Sequence, residues 1–352
     1  MSVLDKIKKN SSIKESAILS KSKFFNDKDI IPTPIPIINV ALSGKLDGGL
    51  TPGLTMWAGP SKHFKTAFSL LMAKAYLDKY EDAALLFYDS EFGTPQSYFV
   101  SFGIDTDRVL HTPITDIEQL KVDVMNQITN VERGERLIIV IDSIGNLASK
   151  KEVDDAIDGK TVADMSRAKQ IKSLFRMVTP HLSLKDIPMV VVNHTYMEIG
   201  MFPKAVVGGG TGSYYSADNI FILGRQQEKD GSEIVGYNFI INVEKSRYVK
   251  EKSKIPVSVS FDGGISKYSG LLDIALESGH VIKPSNGWYS KVDINTGEVE
   301  EKKYRIKDTY NSSFWNPILS SSSFKEYIEK KYCIANGDII SDETIEQAFE
   351  VE

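Results

Sequence analysis

The 352-residue chain contains a single cysteine, Cys333, so no internal disulfide can hold the fold, and a reducing compartment is expected. Its five histidines are scattered, with no HExxH and no Cys/His cluster, which excludes the usual zinc frameworks. No apolar run approaches the ~18 residues of a membrane-crossing helix, and MSVLDKIKKNSSIKES lacks the apolar stretch of a signal peptide. A cytoplasmic location and no membrane partner are expected. Excess positive charge is also missing: 42 Lys and Arg face 47 Asp and Glu, for a net charge of −5. That excludes coating nucleic acid through bulk charge, so any DNA or RNA contact has to be local.

What is present is an alternation. LTMWAG, AALLFYDSE, RLIIVIDS and IPMVVVNHT read as short buried strands. Between them, KTAFSLLMAKAYLDKY places Phe68, Leu71, Ala75 and Tyr76 on one helical face. DIEQLKVDVMNQITNVERG reads as a helix ending on Gly134, and MSRAKQIKSLFRMVTPHL as another. This pattern, over about 54–225, predicts an α/β fold with a mainly parallel central sheet and helices on both faces. After about residue 217, NIFILGRQ, GYNFIINVEKSR and IPVSVSFDGG follow without helices and predict an antiparallel extension.

Three regions are expected. Residues 1–35 form an N-terminal arm for oligomerisation, with Phe24 and Phe25 as docking aromatics and the Pro-rich IPTPIP as a stiff linker. Residues 36–269 form the core. Residues 270–352 form a small α+β domain built from LLDIALESGHVI, a hairpin around GWYSKVDINTGEVE, and SSFKEYIEKKY. Its last twelve residues carry five acids and no base.

The segment GPSKHFKT, residues 59–66, matches the phosphate-loop pattern G-x-x-x-x-G-K-[ST], except that Phe64 replaces the second glycine. An apolar strand precedes it and an amphipathic helix follows. In such a loop Gly59 makes the tight turn out of the strand, and after Pro60 the backbone N–H groups of Ser61, Lys62, His63 and Phe64 surround phosphate at a helix N-terminus. Lys65 reaches the β- and γ-phosphates, and the Thr66 hydroxyl ligates Mg²⁺. The plain alternative is an ordinary strand–loop–helix with an exposed lysine. Phe64 is expected at the helix entry with ordinary helical angles, its ring turned away from phosphate into packing.

Asp142 ends LIIVID at the strand edge where ligands collect in open α/β sheets, and is the second metal-associated residue. Glu91, after the strand that follows the loop's helix, is the candidate base for water, preferred over Asp89 two residues earlier.

Taken together, GPSKHFKT, FYDSEFG, LIIVIDSIGNLASKKE, VVNHT and VVGGGTG, in that order and spacing, resemble the RecA family of strand-exchange ATPases, and within it the bacteriophage UvsX branch. The resemblance implies a RecA-like P-loop ATPase core that uses ATP and Mg²⁺, with Lys65, Thr66, Asp142 and Glu91 in the roles above. It places Tyr98 as the aromatic that stacks on adenine, and Pro95 where many bacterial relatives have an acid near that base. It places His194 where bacterial relatives use glutamine to sense the γ-phosphate and couple it to DNA.

The resemblance also implies helical filaments on single-stranded DNA that pair with double-stranded DNA, working with a mediator and a single-strand-binding protein. Two DNA loops are expected, at 147–165 and 195–212. The first has three lysines against five acids, so phosphate neutralisation cannot be its whole task. In the helix that follows it, Lys169, Lys172 and Arg176 share one face, and Arg167 falls at the family's DNA-contacting position. In the second, Met201 and Phe202 would wedge between bases, with Lys204 and the amides of Gly208, Gly209 and Gly210 at phosphates. Lys245 and Arg247 match basic residues that reach across to a neighbour's γ-phosphate in trans. Rival readings are a ring-forming helicase-type ATPase and a mediator that hydrolyses nothing.

Overall fold

Three six-residue runs, Gly53–Ala58, Leu137–Asp142 and Pro188–Asn193, are buried at every position, which only a sheet covered on both faces allows. In the computed structural model, which describes residues 2–13, 15–22, 29–159, 166–198, 200–201 and 203–334, these runs are central strands. Phe24, Phe25, Phe202, residues 160–165 of the first predicted DNA loop and the acidic tail lie outside the described residues.

The strands are β1 (Gly53–Ala58), β2 (Ala84–Asp89), β3 (Val109–Pro113), β4 (Leu137–Asp142), β5 (Pro188–Asn193), β6 (Thr195–Met197), β7 (Ala205–Val207), β8 (Asn219–Asp230), β9 (Glu233–Lys245), β10 (Lys254–Ser260), β11 (Gly264–Ile265), β12 (Val281–Ser285) and β13 (Trp288–Lys291). Nine of them form one sheet in the order β11-β10-β9-β8-β1-β5-β4-β2-β3. The β8-β1-β5-β4-β2-β3 part is parallel, and β8 to β11 pair antiparallel, as the change of texture near residue 217 predicts.

The helices are α1 (Val3–Asn10), α2 (Pro36–Ser43), α3 (Lys65–Lys79), α4 (Gln96–Ser101), α5 (Ile117–Asn130), α6 (Lys150–Ile157), α7 (Ser166–Lys185), α8 (Thr211–Ser216), α9 (Leu271–Glu277), α10 (Ser312–Ser320) and α11 (Ser322–Tyr332). Strand alternation sends Trp57, Phe87 and Val140 to one face, where they pack with Phe68 and Met72 of α3. Leu54, Met56, Leu86 and Ile141 go to the other, against Leu120 and Val124 of α5 and Leu174 and Phe175 of α7. The C-terminal elements share the first of these clusters, through Leu271, Trp315 and Phe324.

Two expectations change. The Pro-rich segment is part of the core: Ile31, Thr33 and Ile35 are buried, Ile31 bridges to Leu50, and Pro36 opens α2 at the position where its missing N–H costs nothing. And α5 stops at Asn130, before Gly134, because Lys185 donates to the Ile128 carbonyl at 2.7 Å and that of Thr129 at 3.2 Å, closing the helix end.

The register sets the site. Asp89 is level with Asp142, and Ala58 with Asn193. The C-terminal ends of β1, β2, β4 and β5 therefore stand in one row, and the loops leaving them converge.

Candidate nucleotide site

The chain leaves β1 through residues 59–64 and enters α3 at Lys65. Lys62 (φ 60°) and Phe64 (φ 61°, ψ 16°) are both left-handed, a rare choice for residues with side chains. This corrects the expectation of helical angles at Phe64. A left-handed residue before the helix turns successive N–H groups into one concavity, and that geometry prevails although it costs a non-glycine residue about 1–2 kcal/mol. The ring behaves as expected: it packs 5.0 Å from Phe239 and 6.2 Å from Phe68 by ring centroids, which offsets the backbone cost.

Lys65 is buried, and its Nζ donates to the Pro60 carbonyl across the loop at 2.8 Å. Burial holds its ammonium below the usual lysine range, while Glu91 and Asp142 oppose the shift. The Thr66 hydroxyl donates to Asp142 Oδ2 at 2.6 Å. The other oxygen of Asp142, Oδ1, is buried without a hydrogen-bond partner among the described residues. Burial pushes this carboxyl up to about 6, with the Thr66 hydrogen bond opposing. A hydroxyl beside a buried carboxylate with an orphan oxygen is a donor set that fits a hard divalent cation such as Mg²⁺.

Asp89 and Glu91 differ in kind. Asp89 is buried, its Oδ1 accepting from the N–H groups of Glu91 at 3.0 Å and Phe92 at 2.7 Å, with His111 Nε2 3.1 Å from Oδ2. It shapes the turn that carries Glu91. Glu91 reaches into the cleft, where His194 Nε2 donates to Oε1 at 2.9 Å and Ser143 Oγ at 2.7 Å. Those bonds, His194's foremost, hold its carboxyl below the ordinary range against burial.

The cleft holds about 700 Å³, and Lys65, Thr66, Glu91, Tyr98, Asp142 and His194 all line it. Tyr98, half-buried on α4, sets its ring edge-on to Phe102. The opposite wall escaped sequence reasoning: Arg225, Tyr237 and Phe261. Arg225 lies 4.6 Å from the Tyr237 ring centroid and donates to the Lys62 carbonyl at 3.1 Å. No local motif marks these residues; the β8–β9 and β9–β10 registers bring them together.

Lys245 and Arg247 do not line this cleft in their own chain. Lys245 Nζ donates to the carbonyls of Tyr214 (2.7 Å) and Tyr215 (3.3 Å), and Arg247 is ion-paired with Asp218.

The DNA candidates separate. Lys169, Lys172 and Arg176 are exposed on α7, whose Ile171, Leu174 and Val178 are buried on its other side. Met201 is 90% exposed, and Lys204 is exposed beyond β6 on the β6–β7 hairpin. Arg167 is corrected: its guanidinium turns inward and donates to the carbonyls of Ile144, Gly145 and Leu147, at 3.0, 2.7 and 2.7 Å. Ile144 and Leu147 are buried, and a buried carbonyl needs a donor. Gly208 is corrected likewise, since its N–H donates to the His194 carbonyl at 2.9 Å and is not free for phosphate. Gly209 and Gly210 keep left-handed angles of φ 89° and 74°.

The RecA N-terminal domain pattern matches residues 2–266, more than half of the chain. The chain belongs to the RecA family. The whole cleft lies inside that RecA match, while residues 268–328 match the C-terminal domain of the bacteriophage T4 recombination and repair protein. The chain is 53% identical to the recombination and repair protein of Enterobacteria phage T4, over 96% of its own length and 87% of that protein's. To the RecA proteins of Bacteroides thetaiotaomicron and Syntrophus aciditrophicus it is 28% and 26% identical, over 87% and 77% of its length and 90% and 77% of theirs. Among RecA proteins the chain therefore stands with the phage branch.

Proposed function

We propose that this protein is an ATP-dependent DNA recombinase that assembles as a helical filament on single-stranded DNA, pairs it with homologous duplex and exchanges strands. One observation carries the reading: the loop of residues 59–66, the Thr66–Asp142 pair and Glu91 meet in one cleft, and Glu91 is bonded to His194 and Asn146 at the roots of both predicted DNA loops.

The loop amides and Lys65 bind the phosphates of ATP, and Tyr98 packs against the adenine. Thr66 and Asp142 hold Mg²⁺, which supplies charge neutralisation on the phosphate oxygens. Glu91, kept ionised by His194 and Ser143, orients water for attack at the γ-phosphorus and takes its proton as the bond to the leaving ADP oxygen breaks. His194, at the end of β5, connects that carboxylate to the 195–212 loop. Lys245 and Arg247, outside their own cleft, act on the γ-phosphate of a neighbouring subunit. Residues 1–35 serve assembly, 36–269 hydrolysis and DNA binding, and 270–352 a separate C-terminal role. Lys169, Lys172, Arg176, Met201 and Lys204 face DNA, read through its backbone because base pairing reads sequence. Phage recombination, recombination-dependent replication and repair in the bacterial cytoplasm, with a mediator and a single-strand-binding protein as helpers, complete the reading.

The test is ATP hydrolysis with and without single-stranded DNA, followed by strand exchange with homologous duplex and electron microscopy. Stimulated hydrolysis, open helices and exchanged strands are expected. Closed hexamers would favour a helicase-type ATPase, and binding without turnover a mediator.

A further inference from the structure

The donors that fix Glu91 converge on one oxygen. Ser143 Oγ at 2.7 Å, His194 Nε2 at 2.9 Å and Asn146 Nδ2 at 3.3 Å all reach Oε1. They come from different places. Ser143 follows β4 and is locked to Glu91's own turn, because the Ser90 hydroxyl accepts from Ser143 N at 3.0 Å and donates to its carbonyl at 2.6 Å. His194 is the root of the 195–212 loop. Asn146 is the last residue before the 147–165 loop.

The stretch carrying Asn146 is held from the far end of that same loop. Arg167, in the first turn of α7, grips the carbonyls of Ile144, Gly145 and Leu147 on either side of it. The stretch also touches the other loop's root, since a Cβ at Gly145 would stand 2.3 Å from Cδ2 of His194. A movement of the 147–165 loop that carries Arg167 thus moves Asn146 against Glu91 directly, alongside any displacement that Gly145 passes to His194.

We propose that Asn146 is a positioning residue for Glu91, and that it gives the 147–165 loop a direct hold on hydrolysis in addition to the His194 contact. This rests on the proposed function, in which Glu91 is the base. Asn146 is exposed and packs into no core, so its amide bond to the carboxylate is the contact that distinguishes it. Ser143 and His194 set the distance of Oε1. A third N–H, arriving from the loop side, fixes the rotation of the carboxylate about its last bond and so the direction of the free oxygen toward water.

The experiment measures kcat and KM for ATP at saturating single-stranded DNA in the full-length protein. Asn146→Ala is expected to lower kcat about five- to tenfold, the scale of one ordinary hydrogen bond, because the 3.3 Å contact is long for a bond to a carboxylate, with KM for ATP within about twofold. Asn146→Asp keeps the shape but loses the N–H and faces like charge, so it falls at least as far. Asn146→Gln, which keeps an amide, recovers part of the loss. Affinity for single-stranded DNA and thermal midpoint stay at wild-type values. Wild-type kcat in both the Ala and Asp variants would overturn the inference, as would a loss of kcat accompanied by equal losses in ATP and DNA affinity. A wild-type protein without DNA-stimulated hydrolysis would overturn the proposed function itself, and the two failures are distinguishable.

Discussion

Glu91 and His194 stand 2.9 Å apart at the ends of β2 and β5, strands separated in the sheet by β4. The carboxylate accepts and the imidazole donates, so one proton on Nε2 joins the candidate base to the root of a predicted DNA loop. Replacing Glu91 by Gln keeps the size but cannot take a proton. Hydrolysis at saturating ATP is expected to fall by about 10²–10⁴-fold while nucleotide binding persists. Phosphate release and a fluorescent-nucleotide titration check the two halves separately. Equal turnover in the variant and wild type would remove Glu91 from the reaction.

Phe64 combines an unfavourable backbone with a favourable side chain. Phe64→Ala loses the ring contacts with Phe68 and Phe239 yet keeps a Cβ in the left-handed region. Phe64→Gly loses the same ring but is free of that constraint. Both variants are expected to be less stable than wild type, with Gly more stable than Ala by about 1 kcal/mol. Urea midpoints at unchanged slope decide the order.

A cross-subunit role for Arg247 makes a complementation prediction. Arg247→Ala and Glu91→Gln are each expected to be inactive alone. In an equal mixture, about a quarter of adjacent pairs place an intact Glu91 cleft against an intact Arg247, in a head-to-tail assembly. Partial recovery of DNA-stimulated hydrolysis on mixing is the expected result. No recovery at any ratio would confine both residues to one chain.

His280 is buried in the C-terminal region, within 2.9 Å of Ser278 Oγ and Ser323 Oγ and with its ring centroid 5.0 Å from that of Phe324. Burial lowers its affinity for a proton below the ordinary value, with a bond to Ser278 opposing. The unfolded chain binds a proton near pH 6.5 and the folded chain resists it. The contribution of His280 is therefore fully present above that pH and is lost as pH falls through the lower folded value. Thermal midpoints between pH 7.5 and 5 are expected to drop more steeply in wild type than in His280→Asn. Parallel curves would exclude this histidine as a source of acid sensitivity.

Much of the sheet was legible because a fully buried strand has to be an apolar run, and LIIVID and PMVVVN can be little else. The loop and both carboxylates could be singled out because each stands where a buried strand ends, and the structure gathers them in one cleft. The helix within the first predicted DNA loop has a sequence signal of its own: Ser149 and Glu152 form a capping box ahead of α6. The Arg225–Tyr237–Phe261 wall had no signal, since register across β8, β9 and β10, not adjacency in the chain, creates it. Arg167 looked like a DNA contact because charge was visible and the inward-facing carbonyls were not. Phe64 was misread for a related reason: local preference argues against a left-handed phenylalanine, and only closure of the loop around it overrides that preference.

The Arg247–Asp218 ion pair has one more consequence. Asp218 Oδ2 also accepts from Leu54 N at 2.9 Å, at the start of the strand that leads to the loop of residues 59–66. In a solitary chain the cation proposed to act on a neighbour's ATP is thus moored to its own framework. Under that proposal, isolated subunits leave their nucleotide intact, and fuel is consumed only where the chain has company.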